Sequence, residues 1–226
     1  MSRILVISSC TGKKKEEPAN KLTLDDFRDP ERLARRELEL RRYMLPAMEM
    51  YEGQQHKNLR RGVGLLRQEF DQDFVSVAIV SAGYGLIPES RLIAPYEVTF
   101  NSMGLVEARA WAGRLEIPED VRRLIKGHLL VILLLGGRYL DVIDPPLVPE
   151  PPQRLVFLAK PSFFPTLVQP GVTAVPAGKT EATRWGAGLV ALKGRMFLLF
   201  ALGLARMGES VLDEVMEDDT KLTLNV

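Results

Sequence analysis

Short apolar runs alternate along this chain with longer stretches of helical spacing, and that alternation carries most of the fold information. "RILVIS" at 3–8 is an apolar, β-branched run that stops at Ser-Ser-Cys-Thr-Gly, the pattern of a buried strand. The same reading places strands at 74–82 (FVSVAIVSA), 128–137 (HLLVILLLGG), 154–160 (RLVFLAK) and 172–178 (VTAVPAG). The first helical stretch starts at Asp29 as N-cap with Pro30 behind it, and carries Leu33, Leu40 and Met44 on an apolar stripe. Pro46 is expected to bend or break it. Further helices are expected at 56–70, 104–116, 118–127 and 180–208, the last broken near 186–188 or at 194. "KLTLNV" at 221–226 reads as a short edge strand or a tail.

Strands separated by amphipathic helices predict an α/β fold: a Rossmann-like, largely parallel sheet of about five strands with helices on both faces. "DPPLVPEPPQ" at 144–153 holds five prolines, which neither a helix nor a central strand can carry. Neither half supplies enough strands for a core of its own, so residues 1–226 are read as one domain with this connection inside it.

Composition narrows the picture by exclusion. A net charge of +1 gives no bulk case for a nucleic-acid or membrane partner, so any such case needs a local patch. The single cysteine excludes an internal disulfide framework and a cysteine-rich zinc site, and two histidines argue against a His-based metal site. No metal is therefore expected. The apolar run near the amino terminus is too short for a secretory signal, and 128–137 is far short of the ~20 residues of a membrane span. The reading is a cytoplasmic protein.

In open α/β sheets, ligands bind beyond the carboxyl ends of the strands. Four endings here are polar and glycine-rich, and together they suggest one pocket. The first is Ser8, Ser9, Cys10, Thr11, Gly12 and Lys13, where backbone N–H groups and a lysine can hold a phosphate or carboxylate; a polar turn with solvated lysines is the plain alternative. The second is Ser81, Gly83, Tyr84 and Gly85, and the third is Gly136, Gly137 and Arg138. The fourth is Gly178, Lys179 and Thr180 at a helix start. It is not a phosphate-wrapping loop of the usual kind, because position 173 is Thr where that loop requires Gly. It reads either as an anion site or as a well-capped helix start.

The connection "SAGYGLIPESRLIAPYEVTF" (81–100) holds more glycine, proline, tyrosine and charge than a turn needs. Gly83 and Gly85 are expected to let the backbone approach a ligand, with Tyr84 or Tyr96 stacking on a base or sugar. Glu89 is the acid–base candidate and Lys13 the anion holder at the reacting centre. The alternative is a long loop folded over the sheet edge with Tyr96 as its buried anchor. Catalysis by Cys10 lacks an identifiable base, His56 is expected to be exposed, and Trp111 and Trp185 are expected to pack. Arg35, Arg42, Arg60 and Arg61 are candidates for a phosphate-binding surface, interleaved with glutamates that explain them equally well as paired, solvated charge.

Two segments read together resemble the YaaA-like proteins and their uncharacterised bacterial relatives. The first strand ends in Ser8 and Lys13; a later strand runs into Ser81, Tyr84, Gly85, Leu86 and Pro88, with Ile93, Pro95 and Tyr96 downstream. Tyr51 and Gly53 resemble the Tyr-x-Gly segment between them. The resemblance implies a role in stress response or phage defence, with DNA binding or nucleotide processing, and supplies no reaction. The function expected is binding of a nucleotide, nucleoside or modified base, with hydrolysis or transfer as an accompanying activity and no cofactor identified. The alternatives are a non-catalytic DNA- or RNA-binding protein using the Arg-rich helices, and a nucleotide sensor.

Overall fold

The computed structural model describes residues 3–217, so the strand or tail expected at 221–226 lies outside the described residues. The apolar runs form the strands as the pattern predicts. β1 (Ile4–Ser9), β3 (Val75–Ser81), β6 (Leu130–Leu134), β7 (Arg154–Ala159) and β8 (Val172–Pro176) are parallel. They belong to a six-stranded sheet of order β4-β3-β1-β6-β7-β8. The sixth strand, β4 (Gly85–Pro88), pairs antiparallel with β3 at the edge. It lies inside the stretch expected to be loop. Four residues ending in proline are too short to show strand periodicity, and Pro88 suits an edge. Outside this sheet, β2 (Leu45–Pro46) pairs with β5 (Leu92–Ile93).

The helices are α1 (Leu24–Arg28), α2 (Pro30–Glu39), α3 (Ala47–Met50), α4 (Gln54–Glu69), α5 (Leu105–Arg114), α6 (Ile117–Leu124), α7 (Gly137–Asp141), α8 (Phe164–Leu167), α9 (Lys179–Arg184), α10 (Leu192–Met207) and α11 (Ser210–Glu217). Asp29 caps α2 as expected, its Oδ1 accepting from the N–H groups of Glu31 and Arg32. The long helix expected to reach Pro46 ends instead at Glu39, followed by a 3-10 turn at Arg41–Tyr43, because Leu45–Pro46 extends to pair with β5 and tertiary pairing overrides helix propensity. The Pro-rich 144–153 segment leads into β7, which pairs with β6, so it is a connection within one sheet.

β1 is the centre of the sheet. The chain leaves it toward β3 on one side and, after β6 on its other side, moves outward to β7 and β8. The connections after β1 and β6 therefore diverge, and a crevice opens beyond their carboxyl ends. α4 and α10, each 16 residues long, pack against one another and start at this rim.

Contrary to expectation, His56 in the first turn of α4 is fully buried. Its Nε2 lies 3.0 Å from the Met48 carbonyl, and Nδ1 has no partner among the described residues. Burial, with Arg60 adding to it and the Met48 contact opposing it, lowers its pKa from 6.5 to about 4. The unfolded chain thus binds the proton first, so this contribution to stability is complete above about pH 7 and is lost as pH falls from 6.5 through 4. Thermal midpoints measured across that window should fall with a loss of about 3 kcal/mol from this residue. A midpoint flat down to pH 4.5 would contradict the burial of a neutral imidazole.

Candidate functional site

The crevice is a cavity of about 590 Å³, within the range of small-molecule sites. One wall is the β1 loop: Ser9, Cys10, Thr11, Gly12 and Lys13. The opposite wall is Leu135, Gly136 and Gly137 after β6, continued by Tyr139 and Leu140 of α7. Ala159, Lys160 and Phe163 enter from the end of β7, and Ala177 from the end of β8. Gly53 and Gln55 come from the start of α4, Thr99 from the 81–100 connection and Asn101 from directly after it, Leu189 and Val190 from the approach to α10, and Lys193 from its first turn. Strand endings therefore converge, as expected, but the set differs from the expected one: β7 contributes and β3 does not.

Ser81, Gly83, Tyr84, Gly85 and Tyr96 are corrected from ligand contacts to a buried frame. Ser81 is inaccessible, and its Oγ lies 2.7 Å from the Tyr96 hydroxyl, which in turn lies 2.8 Å from that of Tyr51. The Ser81 Oγ also accepts from the N–H groups of Gly83 and Tyr84, while the Tyr84 hydroxyl accepts from Ala94 N–H. The rings of Tyr84 and Tyr96 meet Phe27 and each other edge to face, leaving no face for a base. A methyl group at Gly83 would come within 2.5 Å of the Phe27 ring, so that glycine serves close approach of a side chain. Gly85 has φ +76°, the left-handed turn that starts the antiparallel return. Burial pushes the Tyr51, Tyr84 and Tyr96 phenols up, so all three stay neutral donors.

This frame supports the β1 loop through a residue that the sequence did not single out. Lys14 is only 4% exposed; its Nζ lies 4.1 Å from the centre of the Tyr96 ring and donates to the carbonyls of Thr11 (3.0 Å) and Gly12 (3.3 Å). Burial lowers its pKa, and the carbonyls and aromatic face supply what water no longer does. Backbone bonds from Lys15 N–H to Met50 and from Glu52 N–H to Lys13 fasten the loop to the approach to α4.

The remaining expected residues divide. Ser9, Thr11, Gly12, Lys13, Gly136 and Gly137 line the cavity. Ser8 is buried behind it, accepting from Gln55 Nε2 at 3.2 Å. Arg138 turns to Asp141 of its own helix at 3.3 Å. The Gly178 N–H is taken by Glu181 Oε2 at 2.7 Å, so Gly178, Lys179 and Thr180 form a capped helix start whose own carboxylate occupies the anion position. Arg35, Arg42 and Arg61 are exposed, Arg42 lies over the Tyr43 ring, and Arg60 lies 3.6 Å from Glu52. Trp111 packs as expected, donating to the Ala82 carbonyl.

Glu89 is the largest correction. Its N–H bonds to the Val77 carbonyl, toward the amino end of β3 and away from the cavity, and its carboxylate is paired with Arg67. Glu89→Ala is therefore expected to leave ligand binding unchanged and to destabilise by about 1–3 kcal/mol, since Arg67 loses a largely buried partner. Calorimetry of the variant checks the second half, and a ligand titration the first.

Cavity residues missed in the sequence include Lys160, Lys193, Gln55, Asn101 and Phe163. The Cys10 Sγ lines the wall 3.1 Å from the Tyr139 hydroxyl, which lies 3.2 Å from Thr99 Oγ1. Three lysines, Lys13, Lys160 and Lys193, line the cavity, and among the described residues no aspartate or glutamate does. Among the same residues no cluster of three His, Cys, Asp or Glu is arranged to hold a metal ion, and no helix is long and apolar enough to cross a membrane.

No curated protein matches the chain. The model of a family of unknown function, DUF6884, matches residues 39–161, which takes in Gln55, Asn101, the 136–137 glycines and Lys160. That span is more than half of the 226 residues, and the chain belongs to this family.

Proposed function

We propose that this protein binds a nucleotide- or nucleoside-like small molecule in the strand-end cavity, with the phosphate or other anionic group held among Lys13, Lys160 and Lys193. The observation that carries the reading is the charge pattern: three lysines, no lining carboxylate among the described residues, and the first residues of the long helix α4 at the same wall. Gln55, Asn101 and Thr99 offer amide and hydroxyl partners for a base or sugar, and Phe163 an aromatic surface. The YaaA-like resemblance supports the setting, a cytoplasmic protein of stress response or phage defence. Turnover belongs to the proposal only through residues of the cavity, since Glu89 stands elsewhere. A sensor that binds the same ligand without turnover uses the same residues.

The DNA-binding alternative draws on the exposed Arg35, Arg42 and Arg61, but neighbouring arginines are committed: Arg32 and Arg36 flank the buried Asp26, and Arg60 faces Glu52. A thermal-shift panel of inorganic phosphate, nucleosides, nucleoside mono- and diphosphates, and short DNA and RNA at two salt concentrations decides between them. At about 100 times Kd a cavity ligand adds about 2.7 kcal/mol of stability. Stabilisation by a mononucleotide supports the cavity. A response confined to oligonucleotides and abolished by salt overturns it.

A further inference from the structure

Lys193 is the second residue of α10, in a helix otherwise rich in apolar side chains. Long amines on such helices ordinarily reach water or a carboxylate. Lys193 is partly buried and lines the cavity instead; its Nζ donates to the carbonyl of Leu135 just beyond β6 and has no carboxylate partner among the described residues. The amine also sits close to the turn after β6, since a methyl group at Gly136 would lie 3.5 Å from Nζ. The titratable groups around the cavity are Cys10, Lys13, Tyr139 and Lys160, and its two cations disfavour a further one. The start of α10 adds the positive end of a helix.

Lys14 gives the contrast. It too is buried, but two carbonyls and an aromatic face satisfy its ammonium, and it does not line the cavity. Lys14 is committed to holding the loop; Lys193 has a single carbonyl and, among the described residues, no carboxylate or aromatic face to support its ammonium.

We propose that Lys193 is the reactive amine of this cavity and captures an aldehyde or ketone that bears a phosphate, forming an imine. The phosphate half rests on the anion-binding reading above; the amine half does not. The neutral nitrogen attacks the carbonyl carbon, a C–N bond forms, and the carbonyl π pair moves to oxygen, which takes a proton. The nitrogen lone pair then closes the C=N bond as the C–O bond breaks. Both amine protons end on the departing oxygen, so amine and carbonyl give imine and water with no change of oxidation state. Burial, reinforced by Lys160, brings the amine's pKa from 10.5 to about 8, so at pH 7 its free-amine fraction is roughly 300-fold that of an ordinary lysine.

The test treats the full chain with pyridoxal 5′-phosphate and, separately, with benzaldehyde. Each is followed by borohydride, which reduces an imine to a stable secondary amine, and the adduct is located by mass spectrometry. Lys193 should label with both reagents, about tenfold or more faster than any other lysine. The rate should level off near pH 8, and inorganic phosphate should slow labelling. Lys193→Arg, which keeps a donor to Leu135, should lose the cavity adduct at an unchanged melting temperature; Lys193→Met serves if the arginine does not fit. Labelling by both reagents spread over surface lysines, or a rate still rising past pH 10, overturns the reactive amine even where phosphate stabilises the protein. Rapid benzaldehyde labelling of Lys193 without protection or stabilisation by phosphate keeps the amine and overturns the phosphate half together with the anion-binding reading.

Discussion

Lys13→Ala combined with Lys160→Ala should weaken binding of a mononucleotide or inorganic phosphate about thirtyfold while leaving the melting temperature within about 2 °C of the parent. Both lysines are exposed at the cavity rim and neither has an ion-pair partner among the described residues, so their removal disturbs no packing. Each ammonium held against a phosphate in such a half-solvated position contributes about 1 kcal/mol, and about 2 kcal/mol for the pair converts to that factor. Because the contacts are solvated, the loss should shrink as salt rises, through weakening of the parent rather than recovery of the variant. Isothermal titration at two ionic strengths reads both effects. Affinity unchanged in the double variant would remove the anion from the cavity altogether.

Why only part of this site was legible follows from particular residues. The β1 ending was readable because polar residues, a glycine and an exposed Lys13 follow directly on an apolar run, where the strand-end rule looks for a ligand. The β3 ending carries the same residue types and has the opposite fate. Ser81, Tyr84 and Tyr96 satisfy one another and nearby backbone groups, and a sequence does not disclose whether a hydroxyl faces a partner or a ligand. Gly178 to Thr180 resolve to the second of the two readings held for them, a capped helix start: Glu181 three residues on takes the N–H that an anion would need. Lys160 was within reach of the same strand-end rule that found Lys13, since it directly follows β7. Lys193 was not, because its place in the cavity depends on how α10 crosses α4.

The 81–100 connection also explains how the frame and the cavity are joined. Ser81 and Tyr96 meet at its two ends, and Thr99 and Asn101 follow directly into the cavity wall. Lys14, lying on the Tyr96 ring and bound to the carbonyls of the β1 loop, links that frame to the opposite wall. Expensive residues in a connection thus mark a site at one remove, through the surface they hold in place.

The helix crossing gives the largest expected effect on stability. Gly194→Ala should destabilise by about 3 kcal/mol and lower the melting temperature by roughly 10 °C. A methyl group there would come 2.2 Å from the Gln55 carbonyl oxygen and 2.8 Å from its Cα, and backbone atoms cannot rotate aside. The two helices must therefore separate, at a cost that exceeds the ~0.5–1 kcal/mol that alanine gains over glycine inside a helix. Gly62 on α4 is the internal control, because its obstacle is the Phe197 ring at 2.8 Å, a side chain. Phe197→Leu should partly rescue Gly62→Ala, whereas Gln55→Ala should not rescue Gly194→Ala, whose clash is with backbone. Because Gln55 and Lys193 reach the cavity from this crossing, Gly194→Ala should also weaken ligand binding below the temperature at which it unfolds. Melting curves and titrations of the single and double variants measure all of this. A rescue of Gly194→Ala by Gln55→Ala would mean that the helices approach through side chains, and the coupling of crossing to cavity would fail with it.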